Sequence, residues 1–360
     1  MKSKERIVAA LHGQPVDRLP FSPFLAYVWE YFPRDVQEAG QLAFHHRIGA
    51  DPLWRGAPCP VMAVPPAGVE RKTFEEAGRE VTVVTTPVGS FRFAHARSPT
   101  GNTTFVVEHP LKREEDYKVR LWIEEHTTYA SNAEAVAEHF RGAGREGLSL
   151  GQVVPRCKSA YQDLVEFFVG TEELIYAQAD FPDAVRSLWE AMVENDLKAV
   201  RMSLESEYEY FISWEDSSTQ NYSPAQYDAF IGSEIGEWCR LLATAGKKYV
   251  QHACGHVADL AVRMRDHGVF AIESLSPPPT GNITVRDVRA RVGDSMGIIG
   301  GIEPTMFLNL NDAHLDRYVE TVIAEARGGP FVLANSDSCP PGVTVEKFRQ
   351  VAEFVKGNRP

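Results

Sequence analysis

The chain has 360 residues, 44% of them hydrophobic, and a formal net charge of -12. That length and apolar content suffice for a large core and argue against disorder, while the acidic balance offers no basic surface for nucleic acid or anionic lipid. No run of about 18 apolar residues marks a membrane span, and five widely spread cysteines (Cys59, Cys157, Cys239, Cys254, Cys339) do not make a disulfide framework, so a soluble cytoplasmic protein is expected.

In chain order, the pattern predicts a helix from Ser3 to His12, a turn at Gly13-Gln14-Pro15 and a strand through Leu19 to Leu25. Residues 79 to 94 read as a β-hairpin turning near Pro87-Val88-Gly89, an insertion near the N-terminus. Asp116 to Glu125 and Asn132 to Gly142 read as helices, Gly147 to Pro155 as a strand, and Pro182 to Tyr208 as a long helix with Val185, Leu188, Trp189 and Met192 at helical spacing. Strands then alternate regularly with helices. The strands are Tyr210 to Trp214, Tyr249 to Cys254, Val269 to Leu275, Met296 to Ile302 and Phe331 to Ala334. The helices are Ser223 to Ala245, Val257 to His267, Val285 to Val292, Asn311 to Ala326 and Val345 to Lys356. Such repetition implies a parallel sheet, and the count favours an α/β fold of the closed (β/α)8 TIM-barrel type, one domain over residues 1–360. No G-x-G-x-x-G or P-loop opens a helix, so nucleotide binding lacks its signature.

Chemistry in such barrels gathers at the C-terminal ends of the strands. Those ends carry Trp214-Glu215-Asp216, His252-Ala253-Cys254-Gly255-His256, Glu273-Ser274, Gly300-Gly301-Ile302-Glu303 and Asn335-Ser336-Asp337-Ser338-Cys339. Residues i and i+2 of an extended strand share a face, so His252 and Cys254 can reach one cation, with a further ligand supplied from elsewhere. The alternative is a core histidine beside a cysteine that serves as a small buried hydrophobe. Glu215 and Asp216 are candidates for substrate contact, support of a metal ligand or proton transfer, or they cap the helix that follows. His256 either orients a leaving group and supplies a proton or contacts the backbone. Tyr27 and Trp29, with Tyr31 and Phe32, either wall a substrate pocket or pack in the core.

Taken together, the sequence resembles the uroporphyrinogen decarboxylase superfamily, in particular its zinc- and corrinoid-linked methyltransferases. The likeness lies in Arg6 through Pro20, Ile48-Gly49-Ala50-Asp51, Pro87-Val88-Gly89, Gly170-Thr171-Glu172-Glu173-Leu174, the His-x-Cys-Gly motif, Gly300 through Pro304, and Pro340-Pro341-Gly342. Cobalamin-independent methionine synthases look like distant relatives. Porphyrinogen decarboxylases of this superfamily carry an arginine-rich segment for the substrate's carboxylates, whereas the corresponding Phe24 to Phe32 is aromatic and has no arginine.

The resemblance implies a zinc ion held by His252 and Cys254, with Glu273 as a further ligand and either Cys339 or Asp337 completing the site. Asp337 is alternatively an acid/base group. It also implies transfer of a methyl group between a small methylated substrate and a corrinoid carried by a partner protein, because the chain has no D-x-H-x-x-G cobalamin motif. Two other readings of the same fold are a metal-free decarboxylase-type lyase using Asp337 and Asp216, and a non-catalytic barrel that binds a corrinoid protein.

Overall fold

The alternation of strand and helix is realised in the computed structural model of the chain, which describes residues 1–98 and 103–357. Among the described residues thirteen strands follow one another: β1 Leu53–Ala57, β2 Val61–Val64, β3 Glu70–Glu76, β4 Arg79–Thr86, β5 Gly89–Arg97, β6 Thr104–Glu108, β7 Thr128–Ser131, β8 Leu148–Gln152, β9 Tyr210–Trp214, β10 Lys248–His252, β11 Ala271–Leu275, β12 Gly297–Ile302 and β13 Phe331–Asn335. The chain falls into two compact units, one built from Met1–Pro58, Ala133–Gln152 and the chain from Ser206 onward, the other from Cys59–Asn132 and Val153–Glu205.

The first unit holds a curled seven-stranded parallel sheet of TIM-barrel type, in the order β1-β8-β9-β10-β11-β12-β13. Alternate residues of each strand face its interior, where Leu53, Leu148, Tyr210, Val250, Ala271, Ile299 and Val332 form one apolar cluster closed from below by Ile7 and Leu11 of the first helix, Ser3–Leu11. The strand expected over Leu19 to Leu25 is present only as an isolated parallel bridge between Phe21 and Leu333 of β13. Pro20 and Pro23 lack the amide donors that a longer ladder needs. The Phe21 carbonyl also accepts from Asp51 N at 2.7 Å, just ahead of β1, so this short segment is bonded at both edges of the sheet.

The residues expected to carry the N-terminal likeness meet at Asp51. Its fully buried carboxylate accepts from Arg6 Nη1 at 2.5 Å and Arg18 Nη1 at 2.7 Å, and its carbonyl accepts from Ser22 Oγ at 2.8 Å. These residues fasten the start of the chain to the head of β1, at the end of the sheet away from the chemistry.

In the second unit, β4 and β5 pair antiparallel across Pro87-Val88, in the stretch read as a hairpin, and lie within a four-stranded sheet β3-β4-β5-β6. A separate antiparallel pair is formed by β2 and β7. Helices Glu114–His126 and Pro182–Ser203 pack together here. Among the described residues no helix is long and apolar enough to cross a membrane.

Candidate functional site

Strand register assembles the site. In β10, Val250 faces the apolar interior, so His252, two residues on, points to the same side at the C-terminal end. Its register partners are Trp214 at the end of β9 and Glu273 on β11, which therefore flank it in one layer. The His252 Nδ1 lies 2.6 Å from Glu273 Oε2, and its Nε2 lies 3.2 Å from Asp216 Oδ1. The Cys254 thiol donates to the same Asp216 oxygen at 3.5 Å. Asp216 turns back toward β10 because it adopts a left-handed backbone conformation, φ 45°, directly after β9, and Ser274 after Glu273 does the same at φ 66°. Non-glycine residues rarely adopt this conformation, and such strain concentrates at functional sites.

Asp216, His252 and Cys254 each offer one ligand atom within 4.8 Å of the others, the group of possible metal ligands found among the described residues. Donors of a tetrahedral zinc site stand roughly 3.3–3.8 Å apart, close to the spacings seen, and a nitrogen, a sulfur and a carboxylate oxygen are the donor types zinc takes. The residues present fit a zinc ion.

The remaining expected residues are placed differently from one another. Glu273 is fully buried and has both oxygens engaged, Oε2 with His252 and Oε1 with Arg55 Nε at 2.6 Å, so it braces the histidine from outside the converging group. Cys339 is buried beside Asn335 and outside that group. Asp337 lies near enough to His252 and Cys254 to act on their charge, and its amide neighbour Ser338 N donates to it at 2.6 Å. Glu215 is buried and accepts from Ser213 Oγ at 2.6 Å, within a polar network that includes Tyr249. His256 is half-buried, and its backbone is bonded to Ser218 and Thr219. Trp29 is half-buried and packs edge-on against Phe32 and Phe44, while Tyr27 is 55% exposed and its amide donates to Ser338 Oγ.

The aromatic wall beside His252 comes instead from Phe24 and Trp214. Their rings stack at 5.8 Å, and both contact the imidazole, at 6.2 and 4.8 Å. Arg55 is the other residue that motif reasoning passes over, although an arginine between Leu53 and Ala57 on the inward face of a strand signals a buried partner.

The charges are strongly coupled. Burial pushes down the basicity of His252, but its bonds to Asp216, Cys254 and Glu273 outweigh this and hold it well above the usual imidazole value. Burial pushes the Cys254 thiol up to about 11, only partly offset by His252. Burial likewise raises Asp337. For Glu273 burial acts upward, and the charges of Arg55 and His252 reverse it to a net lowering.

Comparison with known proteins locates this arrangement. The structure is similar to that of a methyltransferase from Methanosarcina mazei, at 13% sequence identity over 99% of both chains with a TM-score of 0.62, a likeness of fold. A B12-independent methionine synthase from Shewanella sp. W3-18-1 overlaps 94% of this chain and 97% of its own at 8% identity, with a TM-score of 0.45. No curated protein sequence matches this one. The profile of the uroporphyrinogen decarboxylase (URO-D) family matches residues 169–357, a stretch that includes β9 to β13 and with them Asp216, His252, Cys254 and Glu273. Because that match extends over more than half of the chain and carries the strand ends that build the site, the protein belongs to the uroporphyrinogen decarboxylase family.

Proposed function

We propose that this chain is a zinc-dependent methyltransferase or demethylase that moves a methyl group between a small methylated substrate and a corrinoid carried by a separate protein. The observation that carries the reading is the convergence of Asp216, His252 and Cys254 at the C-terminal ends of β9 and β10. These three residues would hold the zinc, which when bound supplies a Lewis acid for the heteroatom that carries or receives the methyl group.

The chain's own residues do the rest. Glu273 accepts from His252 Nδ1 and so directs Nε2 toward Asp216 and Cys254, fixing the ring before a cation arrives. Phe24 and Trp214 shield one side of the imidazole from water and give the methylated substrate an apolar wall. Asp337, whose carboxyl is raised by burial, lies near enough to His252 and Cys254 to serve as an acid/base group for a leaving heteroatom.

The reading is tested by single-turnover methyl transfer with a reduced corrinoid protein and a panel of O-, N- and S-methyl compounds. Transfer that is lost on zinc removal and restored by zinc supports it. Transfer that proceeds without any corrinoid contradicts it.

One observation favours a second reading. Cys339 stays outside the converging group while a protonatable Asp337 stands beside His252 and Asp216, the acid/base set that a metal-free lyase would use to protonate a carbanion. Carbon dioxide released from a carboxylated substrate by zinc-free protein would favour it.

A further inference from the structure

We propose that Arg55 is a positioning residue of this centre: it acts through Glu273 to set the ring of His252. The inference rests on the metal-binding reading above.

Arg55 lies on β1, 4% exposed, on the face that Leu53 presents to the core. Its Nη2 donates to the Ser22 carbonyl at 3.0 Å, and its Nη1 approaches the carbonyls of Leu53 and Pro23 at 3.4 and 3.5 Å. The Phe24 ring covers it, 5.1 Å from the guanidinium carbon. With the outer nitrogens bound to backbone, the plane of the fork is set and Nε–H has one direction left, toward Glu273 Oε1 at 2.6 Å. The second carboxylate oxygen then faces His252 Nδ1 at 2.6 Å.

A glutamate at the end of a neighbouring strand is within reach of becoming a metal ligand, as its type and place in the sequence suggest. Here both of its oxygens are committed, one to a fixed guanidinium and one to the imidazole, and the carboxylate that converges with His252 and Cys254 is that of Asp216. Without Arg55, Glu273 would be a buried carboxylate held by the imidazole alone, free to rotate away from Nδ1.

Arg55 differs from a purely structural arginine in one measurable way, because its effect on the metal must run through Glu273. Zinc affinity is measured by chelator competition for the wild type, Arg55→Gln, Glu273→Gln and the double variant, each checked for folding by circular dichroism. Each single change should weaken zinc binding by roughly 10–100-fold, the usual effect of losing an outer-shell partner. The double variant should bind no more weakly than Glu273→Gln. If Arg55→Gln binds zinc as the wild type does, or if the losses multiply in the double variant, the inference is overturned. Should Arg55→Gln fail to fold, the neutral double variant against Glu273→Gln still decides the matter by the same criterion. Wild-type protein that takes up no zinc overturns the metal-binding reading and this inference with it, an outcome distinct from a wild type that binds zinc and an Arg55→Gln variant that binds it equally well.

Discussion

Burial pushes the Cys254 thiol up to about 11, and the bonds of His252 raise its imidazole above the usual value, so a cation entering between them competes with protons. Protons are released on binding, and zinc affinity therefore rises with pH, by up to about 100-fold per pH unit if two protons leave. Competition titrations at pH 6, 7 and 8 should show this steep dependence, and Cys254→Ser should both weaken binding and reduce the slope toward about tenfold per unit, because one of the two protons is gone. A flat profile would mean that the site is already deprotonated when empty. At this same scale the sequence is legible only in part. The nearness of His252 and Cys254 is readable from their spacing, although β10 ends at His252, short of the expected Cys254, which lies just beyond the strand. That Asp216 converges with this pair while Cys339 lies outside it is not, because this depends on a left-handed turn after β9 and on the burial of Cys339 beside Asn335, neither of which leaves a local signature.

Elements whose two faces differ in polarity, or which are apolar throughout, announce themselves. β9 occupies the expected Tyr210 to Trp214, and the helix over Val285–Val292 has the expected ends. β1 and β3 do not announce themselves. β1 carries Arg55 on its inward face, and β3, Glu70–Glu76, is exposed at every residue and held by pairing with β4 alone. The second unit also contains an ion lattice that no motif predicts: Glu124 is buried and bound by Arg120, Arg156 and Asn195, while Arg156 also bridges Asp196 and Asp163. Burial opposes the charge of Glu124, yet the two arginines bring its carboxyl down to about 2. A lowered carboxylate stabilises the fold above its unfolded value of 4.5 and loses that contribution as pH falls through about 2. Asp163 in the same lattice is shifted upward by burial and takes back part of the gain. Glu124→Gln should destabilise the protein by about 3 kcal/mol at pH 7, because it leaves Arg120 and Arg156 under-compensated, and by much less near pH 2. Thermal melts of the two proteins at both pH values check this, and an equal difference at both would refute it.

Over the whole molecule, the strands that carry the proposed centre end on one side of the parallel sheet, while Asp51, Arg6 and Arg18 lock the other. That division between a chemical end and a structural end is the expectation for a sheet of this type. It explains why Arg6, Arg18 and Asp51 of the N-terminal motifs serve anchoring, while the His-x-Cys motif lies at the opposite end of the sheet. With a net charge of -12 and no cobalamin motif of its own, the chain is proposed to depend on a separate corrinoid protein that reaches those strand ends. Methyl transfer should then saturate with partner concentration and vanish when the partner is omitted. All of this turns on whether one metal sits among a nitrogen, a single sulfur and a carboxylate. X-ray absorption at the zinc edge of the purified wild-type protein measures that directly: the account predicts one sulfur at about 2.3 Å with the remaining donors nitrogen or oxygen at about 2.0–2.2 Å, whereas two sulfurs, which would bring Cys339 onto the metal, or protein that retains no zinc, would contradict it.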